Sequence, residues 1–299
     1  MNDDLLNRVL VPLDGSRTAE AILSQLRPFL HRHESSLILF QALTSPDDAH
    51  SDEAEGYLRR TACQLTHEGY PAKTALRFGT AAEAILKGAQ EQQATMIALA
   101  TRGRSGIDRL LLGSVAEMVL RGSPLPVFLA RSACSPHPGR APQLRTGHQI
   151  LLPLDGSLGA LGALAPILML SHRTDARVRL LQVAAVTPFP PRWDRPDETM
   201  KAADEFLRGA CIPTSLDFRK GDPAEEILRA ASEQDVDLIA MTTHGRSGPP
   251  LWVMGSVATE VLRRATVPLL VVRRSSAEVS PRRNYARQTE IPATPADRG

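Results

Sequence analysis

Residues 8–16 read Arg-Val-Leu-Val-Pro-Leu-Asp-Gly-Ser, and residues 149–157 read Gln-Ile-Leu-Leu-Pro-Leu-Asp-Gly-Ser. A short apolar run that stops at Gly-Ser has the form of a strand buried on both faces, as in a parallel sheet. The run occurs twice, and so do two further blocks. Residues 98–106 read Ala-Leu-Ala-Thr-Arg-Gly-Arg-Ser-Gly, and residues 240–248 read Ala-Met-Thr-Thr-His-Gly-Arg-Ser-Gly. Gly113-Ser114-Val115-Ala116 returns as Gly255-Ser256-Val257-Ala258. Three blocks at a nearly constant offset mean one duplicated domain, because the period is far too long for a solenoid repeat. The chain length of 299 residues agrees with two domains of about 150 residues each.

Residues 1–131 are expected to form the first domain and 148–274 the second. Residues 132–147 carry three prolines, two glycines and little apolar content, which is linker composition. Residues 275–299 are polar, carry no helical or strand period, and are expected to be a disordered tail.

Between the repeated blocks, apolar runs alternate with helical spacing. In the first copy strands are expected at 8–13, 37–42, 72–78, 95–100 and 127–130. Helices are expected at 17–31, 52–68, 81–92 and 114–121. The second copy repeats the order, with strands at 150–154, 178–183, 214–218, 238–241 and 269–272. Its helices begin near Leu158, Asp197, Pro223 and Ser256. Strict alternation predicts an α/β fold, a parallel sheet with helices on both faces.

Composition excludes several classes of function. Apolar residues make up 42% and charged residues 23%, as in an ordinary globular protein. Aromatics are only 4%, too few for a base-stacking platform. The 35 basic and 33 acidic residues leave a net charge of +2, too balanced for a strong claim on nucleic acid or an anionic membrane. Three scattered cysteines argue against a disulfide framework or a structural zinc site, and fit a reducing compartment. The N-terminus lacks the pattern of a signal peptide, and no apolar stretch is long enough for a membrane span. A cytoplasmic location is expected.

The chemistry gathers in the glycine-rich segment after the fourth strand. Gly103 is followed by Gly113-Ser114 at a helix start, and Gly245 by Gly255-Ser256 at the same spacing. Glycine at a helix start lets backbone N–H groups approach an anion, and the helix dipole favours negative charge there. Ser114 and Ser256 could either cap the helix or donate a hydroxyl to a phosphate oxygen. Asp14 and Asp155 end the first strand of each copy. They could meet a ribose hydroxyl or a metal bridging phosphates, or cap the next helix. There is no P-loop, no GxGxxG after the first strand, no GxSxG and no HExxH.

On these residues each half resembles the universal stress protein family over nearly its full length. The resemblance implies two doubly wound parallel-sheet domains of strand order 3-2-1-4-5, related to the adenine nucleotide alpha hydrolase-like fold. Ligands of such sheets bind where the strand order reverses, between strands one and four. The ATP-binding branch carries Gly, two residues, Gly, nine residues, then Gly-Ser or Gly-Thr. The second and third glycines match at Gly103 and Gly113, and at Gly245 and Gly255. The first is replaced by Ala100 in one copy and Thr242 in the other.

The resemblance further places Pro12 and Asp14, or Pro153 and Asp155, at the end of strand one. Ala42 and Val183 fall on the adenine side. Val115 and Val257 line the site after Gly-Ser. The implied cofactor is ATP with Mg or Mn. The resemblance also implies a stress-response regulator with at most slow ATP hydrolysis. The alternatives are an interaction module with degenerate nucleotide sites, and a nucleotide-transferring enzyme on a related fold. The two halves are expected to pair through their fifth strands, as separate subunits of the family do, with a further homodimer compatible with the pattern.

Overall fold

The computed structural model describes residues 5–45, 51–101, 112–131, 147–184, 197–233, 235–243 and 254–273. The expected linker, all but Gly147, and the expected tail lie outside the described residues.

The first half runs β1 (Arg8–Pro12), α1 (Arg17–Leu26), β2 (Ser36–Leu43), α2 (Ser51–His67), β3 (Ala72–Phe78), α3 (Ala81–Glu91), β4 (Met96–Thr101), α4 (Ser114–Gly122) and β5 (Val127–Arg131). The second runs β6 (Gln149–Leu154), α5 (Leu164–Thr174), β7 (Arg177–Ala184), α6 (Glu198–Gly209), β8 (Thr214–Lys220), α7 (Pro223–Glu233), β9 (Leu238–Thr242), α8 (Ser256–Arg264) and β10 (Leu269–Val272). Every expected element is present, with ends shifted by a few residues.

Two departures have local causes. The first helix was expected to reach His31 but stops at Leu26, and Arg27–Phe29 turns as a 3-10 helix. Pro28 explains the stop: it has no N–H to donate, and its ring opposes the carbonyl four residues back. The corresponding helix of the second half opens as a 3-10 segment, Leu158–Ala163, before α5 begins. Gly159 and Gly162 are poor helix formers, and Pro166 in the first turn of α5 cannot donate back into that segment.

All ten strands form one sheet of order β3-β2-β1-β4-β5-β10-β9-β6-β7-β8. Each half therefore has the 3-2-1-4-5 order, and the two are joined by antiparallel pairing of β5 with β10. Leu129 faces Leu269, Phe128 faces Leu270 and Val127 faces Val271, all six buried. The pairing covers two apolar edges that would otherwise invite association with another chain. This is the expected pseudo-two-fold pairing of fifth strands.

Because the sheet is continuous, its core forms two layers that each run through both halves. One joins Val9, Leu37 and Leu58 to Ile150, Val178 and Leu207. The other joins Leu10, Ile97 and Val119 to Leu151, Ile239 and Val261. The junction is stitched further by side chains. Phe29 packs edge-on to Phe128 at 5.6 Å between centroids and lies 4.8 Å from the His148 ring. The Nε2 of His148 meets the Pro28 carbonyl at 3.0 Å, and that of His31 meets the Arg173 carbonyl. Arg173 also pairs with Glu34 at 2.7 Å.

Candidate functional site

The switch between β1 and β4 opens a crevice at the carboxyl ends of the first-half strands, as it must in a doubly wound sheet. It is a cleft of about 250 Å³, just below the ~300 Å³ from which small-molecule sites usually start. Pro12, Asp14, Ala42, Ala100, Gly113, Ser114 and Val115 all line it. These are the expected first-half site residues with the exception of Gly103, which lies outside the described residues.

The wall from α1 is built by a serine cap. Ser16 Oγ accepts the Ala19 N–H at 3.1 Å and so closes one of the free donors at the start of α1. Asp14 Oδ1 in turn accepts both the Ser16 N–H, at 3.0 Å, and the Ser16 hydroxyl, at 2.5 Å. The aspartate braces the cap without being it, which resolves the two roles open for Asp14 in part. The same device stands at Asp155 and Ser157, where Ser157 Oγ accepts the Ala160 N–H. Replacing Ser16 by Ala is expected to cost about 1 kcal/mol of stability, read as a lowered denaturant midpoint. A variant as stable as the parent would show that the cap contributes nothing.

The opposite wall is the start of α4. Its N-cap is Gly113, with no side-chain bond to the first turn. Gly255 holds the same place before α8. The capping role considered for Ser114 and Ser256 is therefore not the one found, since both are already the first residue of the helix. The consequence at α4 is a helix N-terminus whose first amides are left to other acceptors. Among the described residues, an ideal Cβ on Gly113 would meet no atom within 4 Å.

Asp14 is the single charged side chain among the described lining residues. Behind it, Tyr57 on α2 donates its hydroxyl to Glu20 at 2.9 Å. Burial first, then the Glu20 bond and charge, push the Tyr57 hydroxyl well above its usual range, so it stays a protonated donor. No group of three His, Cys, Asp or Glu suited to a metal occurs among the described residues. The remaining lining residues were not singled out from the sequence. Ala81 and Ile85 come from α3, Leu99 and Thr101 from β4, and Thr18 and Ala19 from α1. The signal that could have found Thr101 is its place directly after Ala100 at the end of a switch-point strand.

In the second half, Pro153 lies in β6, Val183 in β7 and Thr242 at the end of β9. Asp155 follows β6, and Gly255, Ser256 and Val257 open α8. Gly245 lies outside the described residues.

The model of the universal stress protein family matches residues 6–131 and again 147–273. The chain belongs to the universal stress protein family. Among its universal stress protein relatives, one from Mycolicibacterium smegmatis is 27% identical over 225 residues, 70% of each chain. One from Methanocaldococcus jannaschii is 29% identical over 143 residues, covering 44% of this chain and 84% of its own. The crystal structure of a universal stress protein from Archaeoglobus fulgidus shares the fold, with a TM-score of 0.71 at 23% identity. That match covers 90% of this chain and 99% of the other. The tandem arrangement thus holds two universal stress protein domains in one continuous sheet. Among the described residues, no helix is long and apolar enough to cross a membrane.

Proposed function

We propose that this universal stress protein is a nucleotide-binding regulator that holds ATP in the cleft of its first half. One observation carries the reading: the seven described residues that the resemblance nominates there all line one cleft at the sheet's switch point. Their chemistry is suited to the ligand. Ala42, Ile85 and Leu99 offer an apolar wall for the base. Asp14 stands at the strand end as an acceptor for ribose hydroxyls. The start of α4, without a side-chain cap, supplies backbone donors and dipole for phosphate. Mg or Mn would travel with the phosphates, and Asp14 is the carboxylate that lines the cleft to meet it. The same carboxylate is engaged by Ser16 through Oδ1, and no other titratable side chain among the described residues lines the cleft to act as a general base. Any hydrolysis is accordingly slow, and the nucleotide acts as a bound signal.

The test is to denature freshly purified protein and identify released small molecules by mass spectrometry, with calorimetric titration of ATP on the emptied protein. Released ATP, or micromolar binding, supports the reading. If no nucleotide is released and none binds, the chain is instead an interaction module on the same fold.

A further inference from the structure

The ten-stranded sheet ends on β3 in the first half and on β8 in the second. Among the described residues each of these strands pairs on one side only, so each presents an outer row of backbone N–H and C=O groups to which a further strand can add. The two edges differ in what stands on them. In the register that aligns the halves, Thr74 and Leu76 of β3 correspond to Leu216 and Phe218 of β8. Thr74 and Leu76 are half-buried, and Leu76 packs on the core layer that holds Leu58 of α2. The matching helix α6 is shorter than α2, 12 residues against 17, and Leu216 and Phe218 stand 39% and 40% exposed.

The other face of β8 is charged but already neutralised. Asp217 is held by Arg219 at 3.2 Å and by Arg179 at 3.8 Å, and Arg219 also reaches Glu233 of α7 at 3.0 Å. The buried Glu226 of α7 lies 3.7 Å from Arg219. These charges are spent between β8, β7 and α7. They do not guard the edge in the way that unpaired edge charges keep other strands off.

We propose that β8 is the docking edge for a second copy of this chain, the two β8 strands pairing antiparallel about a two-fold axis at Asp217, so that one sheet runs through the dimer. This register uses the whole of Thr214–Lys220. It sets Leu216 opposite Phe218 of the second copy, and Phe218 opposite its Leu216, two aliphatic–aromatic pairs on one face. Lys220 falls opposite Thr214, whose hydroxyl is bonded to Asp204 and Arg208, and Arg219 falls opposite Ser215. Asp217 meets its own copy, with each carboxylate held by two guanidinium groups. The β3 edge does not fit itself in this way. Its equivalent register sets Lys73 against Arg77, and like charges directly opposite are destabilising. Pairing β3 with β8 sets Lys73 against Arg219 and leaves a free edge at each end, a contact that grows into filaments. The junction of β5 with β10 is the precedent within this sheet: apolar edge residues paired antiparallel about a pseudo-two-fold axis.

The experiment is sedimentation velocity on the full-length protein over a dilution series, with hydrogen exchange on the same samples. The parent is expected to be a dimer that dissociates on dilution, with the β8 amides protected only in the dimer. Phe218→Lys is expected to raise the dimer dissociation constant at least about 100-fold, because the two-fold axis removes two buried phenylalanines at once. Phe78→Lys, the same change on the β3 edge, is expected to leave dimerisation as it is. Far-UV circular dichroism matching the parent in both variants confirms that the fold is kept, since both side chains are exposed. A monomer at every concentration, an open-ended series of larger species, or a dimer that survives Phe218→Lys with its β8 amides unprotected would each overturn the proposal. None of these outcomes bears on nucleotide binding, which this inference does not use.

Discussion

Gly113→Asp is expected to abolish ATP binding, weakening it at least about 100-fold, while the protein becomes slightly more stable. The two effects have opposite signs because the position has two roles. As N-cap of α4, Gly113 is a tolerable residue, and Asp is a better one by a few tenths of a kcal/mol. Its backbone angles, φ −57° and ψ 145°, suit any residue, and a Cβ there meets none of the described residues within 4 Å. The helix will therefore accept the change. The new carboxylate, however, caps the amides offered to phosphate and places like charge beside it. Two unit charges about 4 Å apart repel by about 4 kcal/mol near a protein surface, enough for the stated loss. Titration calorimetry and thermal melting on the same sample check both halves of the expectation. A variant that still binds ATP like the parent would show that phosphate does not sit at the start of α4.

Phe29→Ala is expected to cost about 3–5 kcal/mol, lowering the melting temperature by roughly 10 °C. The residue is buried where the halves meet, against Phe128 of β5 and the His148 ring of the second half. Truncation leaves a cavity between elements that cannot close on it, because β5 and β10 fix their separation. The expected melt is a single transition, since both core layers run through both halves. Phe29 does not line the cleft, so ATP affinity should hold at temperatures where the variant is folded. Two separated transitions, or a loss below about 1 kcal/mol, would show that the halves are stable independently of this contact.

The strands were legible because a strand buried on both faces must be apolar along its middle, and β1, β4 and β9 are, with polar residues only at their ends. Helix ends were less so. The stop of α1 at Leu26 turns on Pro28, and the 3-10 opening before α5 on Gly159, Gly162 and Pro166. Such residues act through bonds to turns several positions away, and apolar spacing alone does not register them. The site was legible where the Gly-Ser helix start recurs, as at Gly113 and Ser114, and where a turn needs a short acceptor, as at Asp14 and Ser16. Thr101 was not, because threonine at a strand end has many roles and its place in the cleft is visible only among its neighbours.

The duplication, the strand-helix alternation, the pairing of the fifth strands and the position of the first cleft were determined by the sequence. The first two follow from short-range chemistry repeated at a fixed offset, and the last two from the family resemblance that those repeats carry. What only the tertiary structure decided is the difference between the halves. Gly113 and Gly255 stand in the same local sequence, Gly-Ser-Val-Ala. Yet the Gly255 N–H is bonded to the carbonyl of Thr243, and among the described residues no such bond joins Gly113 to Thr101. That choice depends on how closely strand end, helix start and the preceding helix approach one another. Distances of this kind are set by the packing of residues far apart in the chain, and local sequence carries no record of them.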